Sequence, residues 1–238
     1  MLLHCGAQEA TLEQVKAIPV PQHTETWYPM AYGEVVEYLR DQVQKVLGLE
    51  VLSERYGLTT NGARMFACLT MKTDSEESAL ALGARGSYDK SLKWITGGGG
   101  SLFVCDNLMF DADAFMILRK NTKNVWADFR RMVAEHLHNL LPTYEKMERT
   151  TKLLKATPCH EQRGYAILGV ALGQGLLTPT QATVAYGDWR TPRHEEFSER
   201  NMWSLYNAVT EGLKKGSPAH LMERHAKAHS FFTERLAA

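Results

Sequence analysis

Four consecutive glycines, Gly97 to Gly100, place the strongest constraint on how this chain folds. Glycine loses more backbone freedom on ordering than any other residue, so four in a row persist only where a positive φ or a close backbone approach requires them. A tight turn, or a surface touched by another molecule, is expected there. The residues leading in, GARGSYDKSLKWIT from Gly83, supply Arg85, Lys90 and Lys93 for charge and Tyr88 and Trp94 for flat faces. That pairing suits single-stranded nucleic acid, with cations on phosphates and rings on bases. A hairpin with a solvated basic face accounts for the same residues equally well.

The hydrophobic period changes along the chain. Residues 1–29 carry Pro19, Pro21 and Pro29 with little periodicity and read as an irregular arm. From Tyr32 to Leu47, apolar residues recur at helical spacing, and Gly48 stands where a C-terminal cap belongs. Runs from Glu50 to Leu58 and from Ala63 to Met71 flank Thr59-Thr60-Asn61-Gly62, a strong hairpin signal. Further strands are expected at Ser78 to Gly83, Leu102 to Leu108 and Ala114 to Arg119, with Asp111-Ala112-Asp113 as a turn. From Val125 onward the period is helical: Trp126, Phe129, Val133, Leu137 and Leu140 lie three or four apart. Proline-marked breaks place later helices near 160–174, 180–187, 195–214 and 218–236. Segregated strands and helices define an α+β protein. Its expected parts are the arm, an α+β sheet domain over 30–124 with an antiparallel sheet and an N-terminal helix, and a helical subdomain over 125–238 packed on that sheet.

Charge and cysteine usage narrow the function classes. Lys plus Arg equals Asp plus Glu at 27 each, so any nucleic-acid binding requires a local patch. Cys5, Cys68, Cys105 and Cys159 are far apart without a Cys-x-x-Cys pair, which points to reduced thiols in a cytoplasm and to neither disulfides nor a structural zinc. No apolar run approaches the roughly 20 residues of a membrane span.

The chemistry-bearing motifs are incomplete. The glycine run lacks the Gly-Lys-Ser/Thr ending of a phosphate loop, and GVALGQG from Gly169 lacks the preceding strand of a dinucleotide turn, so close helix packing explains it better. His225 and His229 are four apart on a helix but lack the accompanying Glu of a hydrolytic zinc motif, and a solvated helix face is expected for them. His136 and His138 point to different sides of a helix. Asp106, Asp111 and Asp113 would suit a magnesium ion or a turn, turn chemistry being the simpler account. No cofactor and no catalytic residue is assigned.

A second basic cluster, Arg119, Lys120 and Lys123, precedes Trp126 and Arg130-Arg131. If the strands are adjacent, both clusters share one groove. Trp126 also falls in phase with Phe129 and Val133 and fits a core position, and Trp203, Leu205, Tyr206 and Val209 read as a core face packing on the sheet.

The segments GARGSYDKS, GGGGSLFVCDNLMF, RKNT and GDWRTPRHEEFSERNMWSLYNAVTEGLKKG resemble the phage and plasmid protein family known as domain of unknown function 932. The resemblance runs in order from about Met30 to the C-terminus and implies a role on a mobile element: DNA handling, plasmid establishment or countering host defence. The order of helix, hairpin, strands and returning helix is similar, more loosely, to the core of the ring-forming single-strand annealing recombination proteins. It implies a homo-oligomer, even a ring, that binds single-stranded DNA in the host cytoplasm. The first expectation is accordingly single-stranded DNA binding and annealing, with Arg85, Lys90, Lys93, Arg119, Lys120 and Lys123 on phosphates and Tyr88 and Trp94 stacked on bases. A second is capture of a host defence or replication protein through Trp189, Arg190, Phe197, Trp203 and Tyr206. A third is a metal-dependent enzyme at Asp106, Asp111 and Asp113.

Overall fold

Strand pairing starts from the Asn61-Gly62 turn. Gly62 adopts φ 64°, its amide donates to the Thr59 carbonyl at 2.7 Å, and Asn61 Oδ1 accepts the Ala63 amide at 3.1 Å. The turn joins β2 (Val51–Leu58) to β3 (Arg64–Met71) as the Asn-Gly signal predicts. The computed structural model describes residues 7–73, 78–102, 108–117, 121–216 and 220–236. Within them, β4 (Ser78–Ser87), β5 (Ile95–Leu102) and β6 (Leu108–Ile117) continue an antiparallel meander, and β1 (Gln8–Ala10) borders β2. The sheet order is β1-β2-β3-β4-β5-β6. With the helices that follow, the fold is α+β.

The arm is more ordered than its prolines suggest. It supplies the edge strand β1 and then α1 (Leu12–Ala17), whose N-terminus is held by a capping box between Thr11 and Gln14. The expected helix is α2 (Tyr32–Gln42), prolonged by a π turn over Val43–Leu47 that ends on left-handed Gly48. α2 and the first half of α3 (Val125–Ala156) cover one face of the sheet. Val35, Val36 and Leu39 of α2 and Phe129, Val133, Leu137 and Leu140 of α3 share a core with Met65, Leu69, Leu80 and Leu82.

The C-terminal helices are α4 (Glu161–Gly173), α5 (Pro179–Arg190), α6 (Met202–Leu213) and α7 (Leu221–Leu236). α5 begins on Thr178, capped by its own box with Gln181, and α6 on Asn201, whose side chain accepts the Ser204 amide at 2.9 Å. Their second core contains Leu168, Trp189, Trp203, Leu205, Tyr206 and Phe232, together with Met147 and Leu154 from the second half of α3. α3 thus belongs to both cores, with the sheet core recruiting it as far as Tyr144 and the helical core from Met147 onward. Trp203, Leu205, Tyr206 and Val209 are core residues as expected, but of the helical core rather than a face laid on the sheet, since α6 is buried nearly all round.

Three local readings are corrected by the structure. The glycine run lies inside β5, paired with β4 through Gly97 opposite Gly83 and Gly98 opposite Leu82; among the described residues the left-handed glycines are Gly48, Gly62 and Gly175. What demands glycine at position 98 is the protein's own helix, since a Cβ there would overlap the Leu140 side chain and crowd His136 Nε2. Asp111-Ala112-Asp113 is not a turn but part of β6, where the β5–β6 register shifts: Gly97 pairs with Phe115 and Gly99 with Phe110. The register break is where the turn-forming sequence is accommodated. In the helical half, the closest packing falls on Gly164, whose Cβ would enter the Trp189 ring, while Gly173 and Gly175 of GVALGQG face open space.

Gly98→Ala is expected to lower stability by about 1–3 kcal/mol in urea unfolding. Leu140→Ala removes the clash and leaves a cavity instead, so the double variant should be less destabilised than the sum of the two single changes.

His136, buried beside this contact with no partner for Nε2 among the described residues, has its pKa pushed down to about 4 by burial. Because the folded value lies below the ordinary 6.5, the unfolded chain takes up the proton more readily. The contribution of neutral His136 is full above pH 6.5 and is lost progressively as pH falls from there through about 4, amounting to about 3 kcal/mol. Urea midpoints at pH 7.5 and 4.5 should converge in His136→Leu relative to the parent chain.

Candidate nucleic-acid interface

One end of the sheet gathers the loop from Ser87 to Trp94, the turn at Asn61-Gly62, the arm around Trp27 and the entry to α3. The loop is built on a column of rings. Tyr88 stacks on Tyr32 with centroids 3.8 Å apart and planes 5° from parallel. Trp94 meets Tyr32 edge-on at 5.9 Å and Phe129 at 6.2 Å. Hydrogen bonds lock the stack: the Tyr32 hydroxyl donates to the Ala63 carbonyl at 2.8 Å, and the Tyr32 amide donates to the Tyr88 hydroxyl at 3.1 Å. Burial pushes the Tyr32 and Tyr88 phenols above their ordinary range, so both stay neutral.

The loop backbone is closed from within. The Leu92 amide donates to Ser87 Oγ at 2.9 Å, and the Ser91 amide donates to Asp89 at 2.9 Å. Arg64 pairs with Asp89 at 3.2 Å and reaches Ser91 Oγ at 2.9 Å. Against the opposing effect of burial, these Ser91 hydrogen bonds and the charge of Arg64 hold the Asp89 carboxyl below its usual range. Lys90, between them, has φ 63°, a left-handed conformation uncommon for a side-chain-bearing residue. Its ammonium lies 4.9 Å above the centre of the Trp27 ring.

The structure sorts the residues nominated from sequence into three groups. Lys90, Lys93 and Lys123 are exposed at this end of the sheet, and Tyr88 is half-buried there. Arg85 and Trp94 are buried, so neither faces solvent in a groove. Trp94 lies on Gly86, where a Cβ would strike the indole, and it serves the core. Arg85 points to the opposite face of the sheet and pairs with Glu223 of α7 at 2.6 Å. Alternation along β4 explains this: Leu82 and Ala84 face α2 and α3, which puts Arg85 on the other side. Arg119, Lys120 and Asp106 lie outside the described residues, and Asp111 and Asp113 enter only as backbone of β6.

Sequence reasoning missed Trp27, Tyr28 and Tyr38. Trp27 and Tyr28 sit in the aperiodic arm, and their signal is two adjacent large rings within an otherwise polar stretch. The Tyr28 amide donates to the Asn121 carbonyl at 2.7 Å, tying the arm to the entry of α3, and Tyr28 stacks on His23 at 4.9 Å. Trp126 is partly buried against the sheet core, with Arg130 5.7 Å above its ring and 5.8 Å from that of Tyr38.

The other candidate chemistries gain no site. Trp189, Phe197, Trp203 and Tyr206, expected as anchors for a protein partner, are buried in the helical core, and only Arg190 of that set is exposed. His225 and His229 do not form a solvated face; both are buried. Arg193 bridges Asp188 at 2.9 Å and Glu211 at 2.6 Å, which fixes the end of α5 to α6. Among the described residues, no three His, Cys, Asp or Glu side chains converge as a metal site requires, and no helix is long and apolar enough to cross a membrane. No family model, curated protein or solved structure matches the chain.

The Arg85 pair can be tested directly. Burial pulls the guanidinium below its ordinary pKa while Glu223 opposes the shift, and Nε and Nη1 have no partner among the described residues. Glu223→Gln should cost on the order of 2 kcal/mol, below the figure for a fully enclosed pair because the Glu223 side chain is 37% exposed. Replacing both partners, as Arg85→Met with Glu223→Leu, should recover most of that loss in thermal unfolding.

Proposed function

We propose that this protein binds single-stranded nucleic acid, DNA in the first instance, at the end of the sheet formed by the Ser87 to Trp94 loop, the arm and the entry to α3. One observation carries the reading: Lys90, Lys93 and Lys123 are exposed together with partly exposed rings, while the chain as a whole has formal net charge +0. Three exposed lysines at one end of a chain without net charge support a local binding patch rather than a diffuse field. Lysines on phosphates and rings on bases tolerate any sequence, because every base has a π-face and every nucleotide a charge. Such contacts leave the pairing edges of the bases free, so annealing of complementary strands, by a homo-oligomer of phage or plasmid origin, is the activity that follows from this reading.

The phosphate-binding set is Lys90, Lys93 and Lys123, extended along α3 by Arg130. Arg131 is turned towards Asp128 and Glu135 at 3.7 Å each and contributes less. Fluorescence anisotropy of labelled oligo-dT across a salt series tests the reading. Binding should weaken steeply with salt, and the double variant Lys90→Ala/Lys93→Ala should lose at least about tenfold in affinity near 0.1 M salt, with a log–log slope smaller by about 1.4. Absence of binding at low salt would overturn the proposal.

A further inference from the structure

We infer that Trp27 is the base-stacking face of this surface and that Lys90 is its gate, which makes the ligand an unpaired nucleobase with its phosphate rather than a duplex. The inference rests on the nucleic-acid reading above and deepens it.

The arm brings Trp27 to the loop and fixes it there. Thr24 and Trp27 are joined through the Thr24 amide to the Trp27 carbonyl at 2.8 Å and the Trp27 amide to Thr24 Oγ1 at 3.1 Å. Together with the Tyr28 to Asn121 hydrogen bond, this leaves the indole only partly buried at the sheet end. Of the five tryptophans, Trp94, Trp189 and Trp203 are buried, so Trp27 and Trp126 alone have ring surface to offer. Arg130 stands over Trp126, on a helix packed against the sheet core. Among the described residues, Lys90 is the cation that stands over Trp27, and a loop carries it.

Lys90 is placed there at a cost. A left-handed backbone is unfavourable for lysine and persists when its surroundings hold it. The neighbouring carboxylate, Asp89, is occupied by Arg64 and Ser91, so Lys90 covers the indole without an ion pair from its own loop. A cation above an exposed indole is a weak contact, and stacking of a base on the same face is stronger. An arriving base therefore displaces the ammonium from the ring. The displaced Lys90 remains within reach of the phosphate attached to that base, and Lys93 adds a second cation from the same loop. A base paired in a duplex has no free π-face to present, and this sets the preference for single strands.

The test titrates oligo-dT, and the same sequence as a duplex, into the full chain carrying Trp126→Phe, which keeps a ring at 126 and leaves Trp27 as the partly exposed indole. Oligo-dT should quench the fluorescence in parallel with binding, and the duplex should not. Trp27→Ala should weaken oligo-dT binding by about tenfold or more, with Trp27→Phe restoring most of it. Lys90→Ala should retain the quenching while lowering the salt slope by about 0.7. Binding without quenching, or an affinity unchanged in a folded Trp27→Ala, overturns the assignment of Trp27 and leaves the nucleic-acid reading intact. If Trp27→Ala fails to fold, the quenching measurement in the Trp126→Phe chain decides by itself. Failure of oligo-dT to bind the unsubstituted chain overturns both readings.

Discussion

The seating of α3 on the glycine strand is the contact on which the rest of the molecule depends. A side chain at position 98 would hold the helix away from the sheet, and with it Leu140, His136 and the residues that close the sheet core. Because the same helix continues into the second core through Met147 and Leu154, its position over β5 also sets where the C-terminal helices stand. α7 then returns to the sheet, bringing Glu223 to Arg85. A residue that contributes no side chain thereby determines the placement of two cores.

The basic end of the sheet depends on the same arrangement. Phe129, one turn into α3, packs against Trp94 and Trp126, and Trp94 in turn supports Tyr32, on which Tyr88 stacks. The loop bearing Lys90 and Lys93 is thus continuous with the core through a column of aromatic rings. Exposed cations on a loop ordinarily lose much of their binding energy to the cost of being ordered, and a loop anchored in this way has met that cost on folding.

The helical half was readable because its signals are local. Thr178-Pro179 with Gln181 marks the start of α5, and the apolar run holding Trp203, Leu205, Tyr206 and Val209 marks a buried helix. The Asn61-Gly62 hairpin was readable for the same reason. The glycine run was not. Its composition requires close approach, but whether the approaching group belongs to the protein or to a ligand depends on Leu140, more than forty positions along the chain. Arg85 and Trp94 were misassigned to the surface because a local count of charge and aromatics is blind to strand alternation and to Glu223, which comes from the last helix. Trp27 lies in an aperiodic segment, so no periodic signal marks it; hydrogen bonds with Thr24 and from Tyr28 to Asn121 set its position.

Pro142 lies in α3 close to the handover between cores, two residues before Tyr144 and five before Met147. Having no amide hydrogen, it leaves the His138 carbonyl without its helical partner, and its ring crowds the preceding turn. The long helix is therefore least stiff where one core ends and the other begins. The α7 contact with the sheet spans the same junction from the other side, like a tie across a hinge. Bending between the two halves will concentrate at Pro142, and the Arg85–Glu223 pair is one of the links that resists it.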